Sequence, residues 1–261
     1  MFNLISEILS ACAMSASFLI ILISLLPLTL PQVPRFDVPS KHANKGQNHV
    51  TRPESRGVTC PSPGEIPWCQ CEHESSGLSV SCHGLDQDNI ARLRSSLRSH
   101  VSSLQLLDLQ PSVTHLSSWM MSNVSVSNIG VIRSSVKDID EEFFAGLEQT
   151  LVSVSLQNCK LTYVPRGINK IPSLKSLDLR GNNISELYPY SFYGASIARL
   201  DLSHNTLHSL SENAFLGLEG NLKSLTVSGN KFKHFPMSAV RNLQNLEDLN
   251  LGKNKFNIKM L

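Results

Sequence analysis

The chain has 261 residues, 41% of them hydrophobic, and a formal net charge of +2. The charge is uneven: residues 32–59 hold five Lys/Arg against two Asp/Glu, whereas residues 60–261 balance at 18 against 18. A region balanced in this way has no excess of cations for neutralising phosphates, which argues against nucleic acid as a partner.

No charged residue occurs between Ile8 and Pro34, and Phe18 to Leu26, FLIILISLL, forms the apolar centre of that stretch. Residues 1–31 therefore read as a secretory signal or an uncleaved signal anchor. Arg35, Lys41, Lys45, Arg52 and Arg56 follow the run, and the positive-inside tendency alone would leave the rest of the chain in the cytosol. The cysteines and sequons described below point outward and decide the expectation. No small-x-small site follows the run; cleavage is expected, with retention as the alternative. Residues 32–59 surround a polar, aromatic-poor run, KHANKGQNHVTRPESRG, with Pro34, Pro39 and Pro53 around or within it. That composition buries too little to order itself and predicts a flexible spacer.

Cys60, Cys69, Cys71 and Cys82 follow as C-x8-C-x-C-x10-C. Four cysteines this close, behind a targeting segment, predict two disulfides in an oxidising compartment. Spacing alone allows three pairings. A zinc site is disfavoured, because tetrahedral sites draw ligand pairs from C-x2-4-C knuckles and C-x-C holds its thiolates awkwardly. No cofactor or metal is expected elsewhere: His204 and His208, the one close histidine pair of the repeats, lack a third ligand.

From residue 104 a single pattern recurs. LKSLDLRGNNI (Leu174–Ile184) is repeated by IARLDLSHNTL, LKSLTVSGNKF and LEDLNLGKNKF, and upstream by LVSVSLQNCKL and VSNIGVIRSSV. Leu104 to Val113 is a degenerate first copy. The turn position falls at Ser134, Cys159, Asn182, Asn205, Asn230 and Asn254, spaced 25, 23, 23, 25 and 24 apart. Residues matching Leu177 and Leu179 lie two apart, so both face one side of a short strand. The asparagine amide can satisfy backbone groups that leave the ladder at the turn. Ten residues after the turn, Phe144, Phe192, Phe215 and Val240 supply a second apolar anchor; in the Cys159 copy Asn169 stands there with Ile168 beside it. These residues read as convex-side filling rather than as a stacking surface for a ligand. Cys159, inward at a turn position, reads as a buried, inert thiol.

This pattern resembles the leucine-rich repeat family. The resemblance covers residues 104–261, about seven repeats with the last incomplete. It implies an α/β solenoid with short parallel strands on a concave face, an irregular or short-helical convex side, and a disulfide-bonded cap over residues 60–103. The cysteine cluster is similar to the N-terminal flank of extracellular members, which implies Cys60–Cys71 and Cys69–Cys82. The fuller run CPSPGEIPWCQC and GLSVSCHGL resembles a narrower arthropod group labelled luciferin monooxygenase (luciferase) non-catalytic subunits, which implies a partner-subunit role.

On the concave face the central strand positions are expected at Asp108, Gly130, Ser155, Asp178, Asp201, Thr226 and Asn250, with Arg133, Asn158, Gly181, His204, Gly229 and Lys253 just beyond the strand. Interface hot spots favour Trp, Tyr and Arg. Arg133, Arg180, Arg199 and His204 are therefore the expected protein contacts, against the plainer reading of solvated filler. Asn123-Val-Ser and Asn183-Ile-Ser are N-glycosylation sequons and fit an extracellular surface. No catalytic motif is present: G-x-S-x-G, H-E-x-x-H, C-x-x-C and phosphate-binding glycine loops are all missing from the sequence. Leu261 comes seven residues after Asn254 without a second cysteine cluster, leaving Leu249, Leu251 and Phe256 toward an open edge; a fragment of a longer protein is the expectation, and a covering partner the alternative. The sequence thus predicts a secreted or cell-surface, non-catalytic module that binds a protein on its concave face, touching membrane only through the N-terminal segment or a missing C-terminal anchor. The alternative is the start of a receptor or adhesion ectodomain.

Overall fold

A computed structural model describes residues 59–257. The expected signal segment, the spacer up to residue 58 and Cys12 lie outside the described residues.

The first element is a hairpin. β1 (Cys69–Glu74) and β2 (Gly77–His83) pair antiparallel with Cys69 opposite Cys82, and two disulfides, Cys60–Cys71 and Cys69–Cys82, pin it. Helix α1 (Gln87–Ser96) starts at Asp86, whose carboxylate accepts the Asn89 N–H at 2.8 Å and caps the helix, and it buries Ile90 and Leu93. Then follow β3 (Val101–Leu107), β4 (His115–Leu116), the 3-10 turn η1 (Ser118–Met121), β5 (Val126–Ile132), β6 (Asp138–Ile139) and β7 (Ser153–Gln157). The second half holds the 3-10 turn η2 (Arg166–Lys170), β8 (Ser176–Asp178), β9 (Arg199–Asp201), β10 (Ser224–Thr226), α2 (Met237–Val240) and β11 (Asp248–Asn250).

Nine strands form one sheet in the order β1-β2-β3-β5-β7-β8-β9-β10-β11, parallel throughout after the hairpin. Because β2 pairs directly with β3, the hairpin continues the sheet and covers the apolar end that a stack of repeats would otherwise expose. β4 and β6 make a separate two-stranded ladder beside it. The strand leucines point inward in register: Val154, Leu177, Leu200, Leu225 and Leu249 are partners across five adjacent strands, and all are buried. Behind them Phe144, Phe192, Phe215, Val240 and Ile168 fill the convex side, with Phe192 and Phe215 stacked 6.4 Å apart. Ile168, not Asn169, is the buried anchor of the Cys159 copy.

The turn asparagines tie each repeat to the previous one. The Asn205 carbonyl accepts the Ile184 N–H, and its amide donates to the Leu179 and Leu202 carbonyls. Asn182, Asn230 and Asn254 repeat this scheme on Leu161, Leu207 and Phe232. In each case the accepted N–H lies two residues after the preceding turn position. The residue two beyond Leu109 is Pro111, which has no N–H to offer, and Ser134 instead takes the Leu109 N–H at 3.2 Å. Cys159 makes only thiol contacts, to the Val131 and Gln157 carbonyls at 3.5 and 3.6 Å. Burial pushes its thiol up to about 11, so it stays protonated and unreactive at neutral pH. Cys159→Asn restores an amide in this register and is expected to raise stability by about 1 kcal/mol, read as a higher urea midpoint at unchanged m-value.

A second row runs just before the turn. Asp108, Arg133, Asn158, Gly181, His204, Gly229 and Lys253 all have φ between 50° and 70°. Each N–H in this row from Asp108 to Gly229 donates to a carbonyl of the next repeat, as Asp108 does to Ile132 and His204 to Ser228. The row corrects the expected register of the first copy. Gln105, not Asp108, pairs with Gly130 at the central strand position, and Asp108 occupies the left-handed position equivalent to Arg133. The degenerate copy has no asparagine to mark its turn.

Candidate functional site

The concave face presents two outward residues per short strand, because the alternate residue is the buried leucine or valine. Toward the cap these are small and uncharged: Ser103, Gln105, Asn128, Gly130, Ser153 and Ser155. Asp178, Arg199, Asp201 and Asp248 place the strand charges in the C-terminal half.

The four expected contacts differ in how they are held. Arg133 is tied to Asp108 through Nε and a terminal nitrogen at 2.9 and 2.7 Å, with His83 3.7 Å from the same carboxylate. The Arg133 guanidinium holds the Asp108 carboxyl below its ordinary range. Arg180 folds back on Asp178, with Nε 2.9 Å and a terminal nitrogen 2.5 Å from one oxygen. Both arginines are thus pre-oriented, and both are part-satisfied before any partner arrives. Arg199 opens β9 between Ser176 and Ser224, is exposed, and has no ion-pair partner among the described residues. His204 lies exposed over Gly229. A Cβ on Gly229 would come within 2.7 Å of the imidazole Nδ1, and the glycine sits at φ +67°. Arg180, Arg199 and His204 belong to adjacent repeats, while Arg133 is set apart from them by β7. Gly229→Ala is expected to cost about 1–2 kcal/mol through the left-handed backbone alone and to displace His204, checked by thermal melts and the imidazole NMR shifts.

Asn123 and Asn183 are both exposed. Asn123 sits at φ +62° in the turn after η1, and Asn183 immediately follows the buried Asn182.

Three clusters had no sequence motif to announce them. His115 bridges two carboxylates, Nδ1 to Asp138 at 3.1 Å and Nε2 to Asp140 at 2.9 Å, and Tyr163 donates to Asp138 as well. The Tyr163 hydroxyl is the main cause of the lowered Asp138 carboxyl. With both ring nitrogens engaged, His115 fastens the β4–β6 ladder. Tyr188, Tyr190 and Tyr193 are 53%, 60% and 58% exposed, away from the concave strands, with Tyr190 and Tyr193 edge to face at 5.8 Å; a Trp- and Tyr-free concave face does not mean an aromatic-free surface. Lysines near the C-terminal end form the third cluster. A cavity of about 130 Å³ between cap and α1, lined by Thr59, Pro61, Leu78, Leu97 and Arg98, is smaller than the few hundred Å³ of a typical ligand pocket.

A family model described as leucine rich repeat matches residues 172–220, and one described as a BspA type leucine rich repeat region matches residues 85–167. The fold is a leucine-rich repeat solenoid. Chaoptin of Drosophila melanogaster is 27% identical to the solenoid over 204 residues, covering 69% of this chain and 15% of its own length. Tsukushi of Gallus gallus is 29% identical over 174 residues, covering 65% of this chain and 46% of its own. Toll-like receptor 3 of Boselaphus tragocamelus is 27% identical over 171 residues, covering 61% and 19% respectively. A leucine-rich repeat protein of Leptospira interrogans of known structure is 22% identical, covering 71% of this chain and 57% of that one at a TM-score of 0.46. The chain spans less than half the length of each of the three named sequence relatives. Among the described residues, no helix is long and apolar enough to cross a membrane.

Proposed function

We propose that the solenoid is a non-catalytic, extracellular protein-binding module that takes its partner on the C-terminal half of the concave face. The observation that carries this is the exposed Arg199, without an ion-pair partner among the described residues, with His204 farther along its own rung and the pre-oriented Arg180–Asp178 pair on the rung before. Arginine is favoured at hot spots, and a guanidinium already held in place loses less side-chain freedom on binding. Two cap disulfides and two exposed sequons support an oxidising, extracellular compartment. The partner-subunit role implied by the cap sequence belongs to this reading. The start of a longer receptor ectodomain is a second reading, favoured by the chain's spanning only 19% of the Toll-like receptor 3 relative.

The test is cross-linking capture on secreting animal cells, comparing the wild type with Arg199→Glu and an Arg133→Ala control. A band present with wild type and the control, and lost at least tenfold with Arg199→Glu, supports the assignment. Equal capture by all three forms places binding elsewhere. Glycan occupancy at Asn123 and Asn183, read by intact mass before and after deglycosylation, checks the compartment independently.

A further inference from the structure

We infer that the solenoid carries a second binding surface, a cationic patch formed by Lys231, Lys233, Lys253 and Lys255, whose ligand is a sulfated polysaccharide. The balanced charge of residues 60–261 conceals it. Lys231 and Lys255 are equivalent positions of adjacent repeats, because Lys231 donates its backbone N–H to Leu207 and Lys255 donates its own to Phe232. Asn257 extends the same ladder by donating to the Lys233 carbonyl at 3.1 Å. Burial drives the lysines outward: Phe232 between Lys231 and Lys233 is fully buried, and Asn254 between Lys253 and Lys255 is turned in to the Val227 and Leu251 carbonyls. All four lysines are exposed, and none joins an ion pair among the described residues. The acidic residues of the last repeat, Glu247 and Asp248, sit at the opposite end of β11, where Glu247 holds Lys223 at 2.9 Å.

The spacing decides what such a patch can bind. Lys231 and Lys255 lie on adjacent rungs, about 4.8 Å apart and within the ~8 Å screening length of physiological salt, and Lys233 and Lys253 stand two residues from them along the chain. The four potentials therefore add. The backbone N–H groups of Lys231 and Lys255 are already committed to the ladder and offer no anion cradle. An extended polyanion engages the whole row. Phe232, the ring between Lys231 and Lys233, is buried, and the exposed Phe235 offers one ring beside the row rather than a series for successive bases to stack on; in the extracellular setting of the proposed function the sulfated chains of the cell surface supply the matching charge.

The experiment is chromatography of the full chain, made in secreting animal cells, on immobilised heparin with a salt gradient, alongside duplex DNA and phosphatidylserine vesicles as competitors. Retention beyond about 0.15 M salt is expected, with near-complete loss in the Lys231→Gln/Lys233→Gln/Lys253→Gln/Lys255→Gln variant. Smaller, similar losses are expected for each single change, and none for Lys223→Gln. Flow-through of the wild type at that salt, or unchanged retention of the quadruple variant, overturns the proposal. Stronger competition by DNA or by vesicles than by soluble heparin overturns the choice of ligand. The single variants keep the test interpretable should the quadruple one melt early. Because Arg199→Glu leaves the lysines intact, its loss of protein capture and the loss of heparin retention are separable failures.

Discussion

Asn205→Ala is expected to remove about 2–3 kcal/mol of folding stability, a large share of what a domain has to lose. The change strands the buried Ile184 N–H and removes one of two amide donors from each of the Leu179 and Leu202 carbonyls, which Asn182 and Asn230 still reach. Water cannot replace the lost bonds without opening the repeat, since Asn205, Ile184 and Leu202 are all buried. Because a solenoid holds together only through nearest-neighbour interfaces, the damage should loosen β9 and β10 first. Urea unfolding followed by tryptophan fluorescence, with amide exchange at Leu200 and Leu225, measures both effects. A change below about 1 kcal/mol would mean that the ladder is decorative and that packing alone sets the repeat. Changes at the exposed lysines of the cationic patch should stay within about 0.5 kcal/mol and provide the contrast.

Removing the Cys69–Cys82 bond with Cys69→Ala/Cys82→Ala is expected to cost about 3 kcal/mol, as for other short loops closed by a disulfide. Here the loss is compounded by position. The bond joins the first two strands of the sheet, and beneath it Ile66, Val80 and Leu85 close the core against water. Opening the hairpin would uncover the β2–β3 edge and the apolar rows behind it. A lower melting temperature and dye binding to exposed apolar surface are the expected readouts, and dithiothreitol should reproduce most of the effect in the wild type. Cys159 should stay unlabelled by iodoacetamide in the native protein at pH 8, because its thiol sits well above the ordinary range. If the reduced protein melts at the oxidised temperature, the hairpin stands on packing alone, and the cap disulfides lose their structural role.

Much of this protein was legible in the sequence because a repeat writes its own register. The period in Leu177, Leu200 and Leu225, and the asparagines at 182, 205 and 230, determine inward strands and buried turns, since apolar burial and amide satisfaction admit little else. The buried thiol of Cys159 and the outward Asn183 follow from the same periodicity. The first copy is shifted by three residues at Asp108, because its turn position is Leu109, followed by Pro111, and no polar or small residue marks the turn there. Only the tertiary structure decided that Gln105 faces Gly130, that Arg133 and Arg180 are already held by aspartates while Arg199 has no ion-pair partner among the described residues, and that His204 lies over Gly229. It also joined residues far apart in the chain into His115–Asp138–Asp140 and into the lysine patch. Side-chain pairing across rungs depends on which residue of the next repeat leaves room, and a one-dimensional period is silent about its neighbours some 24 residues away.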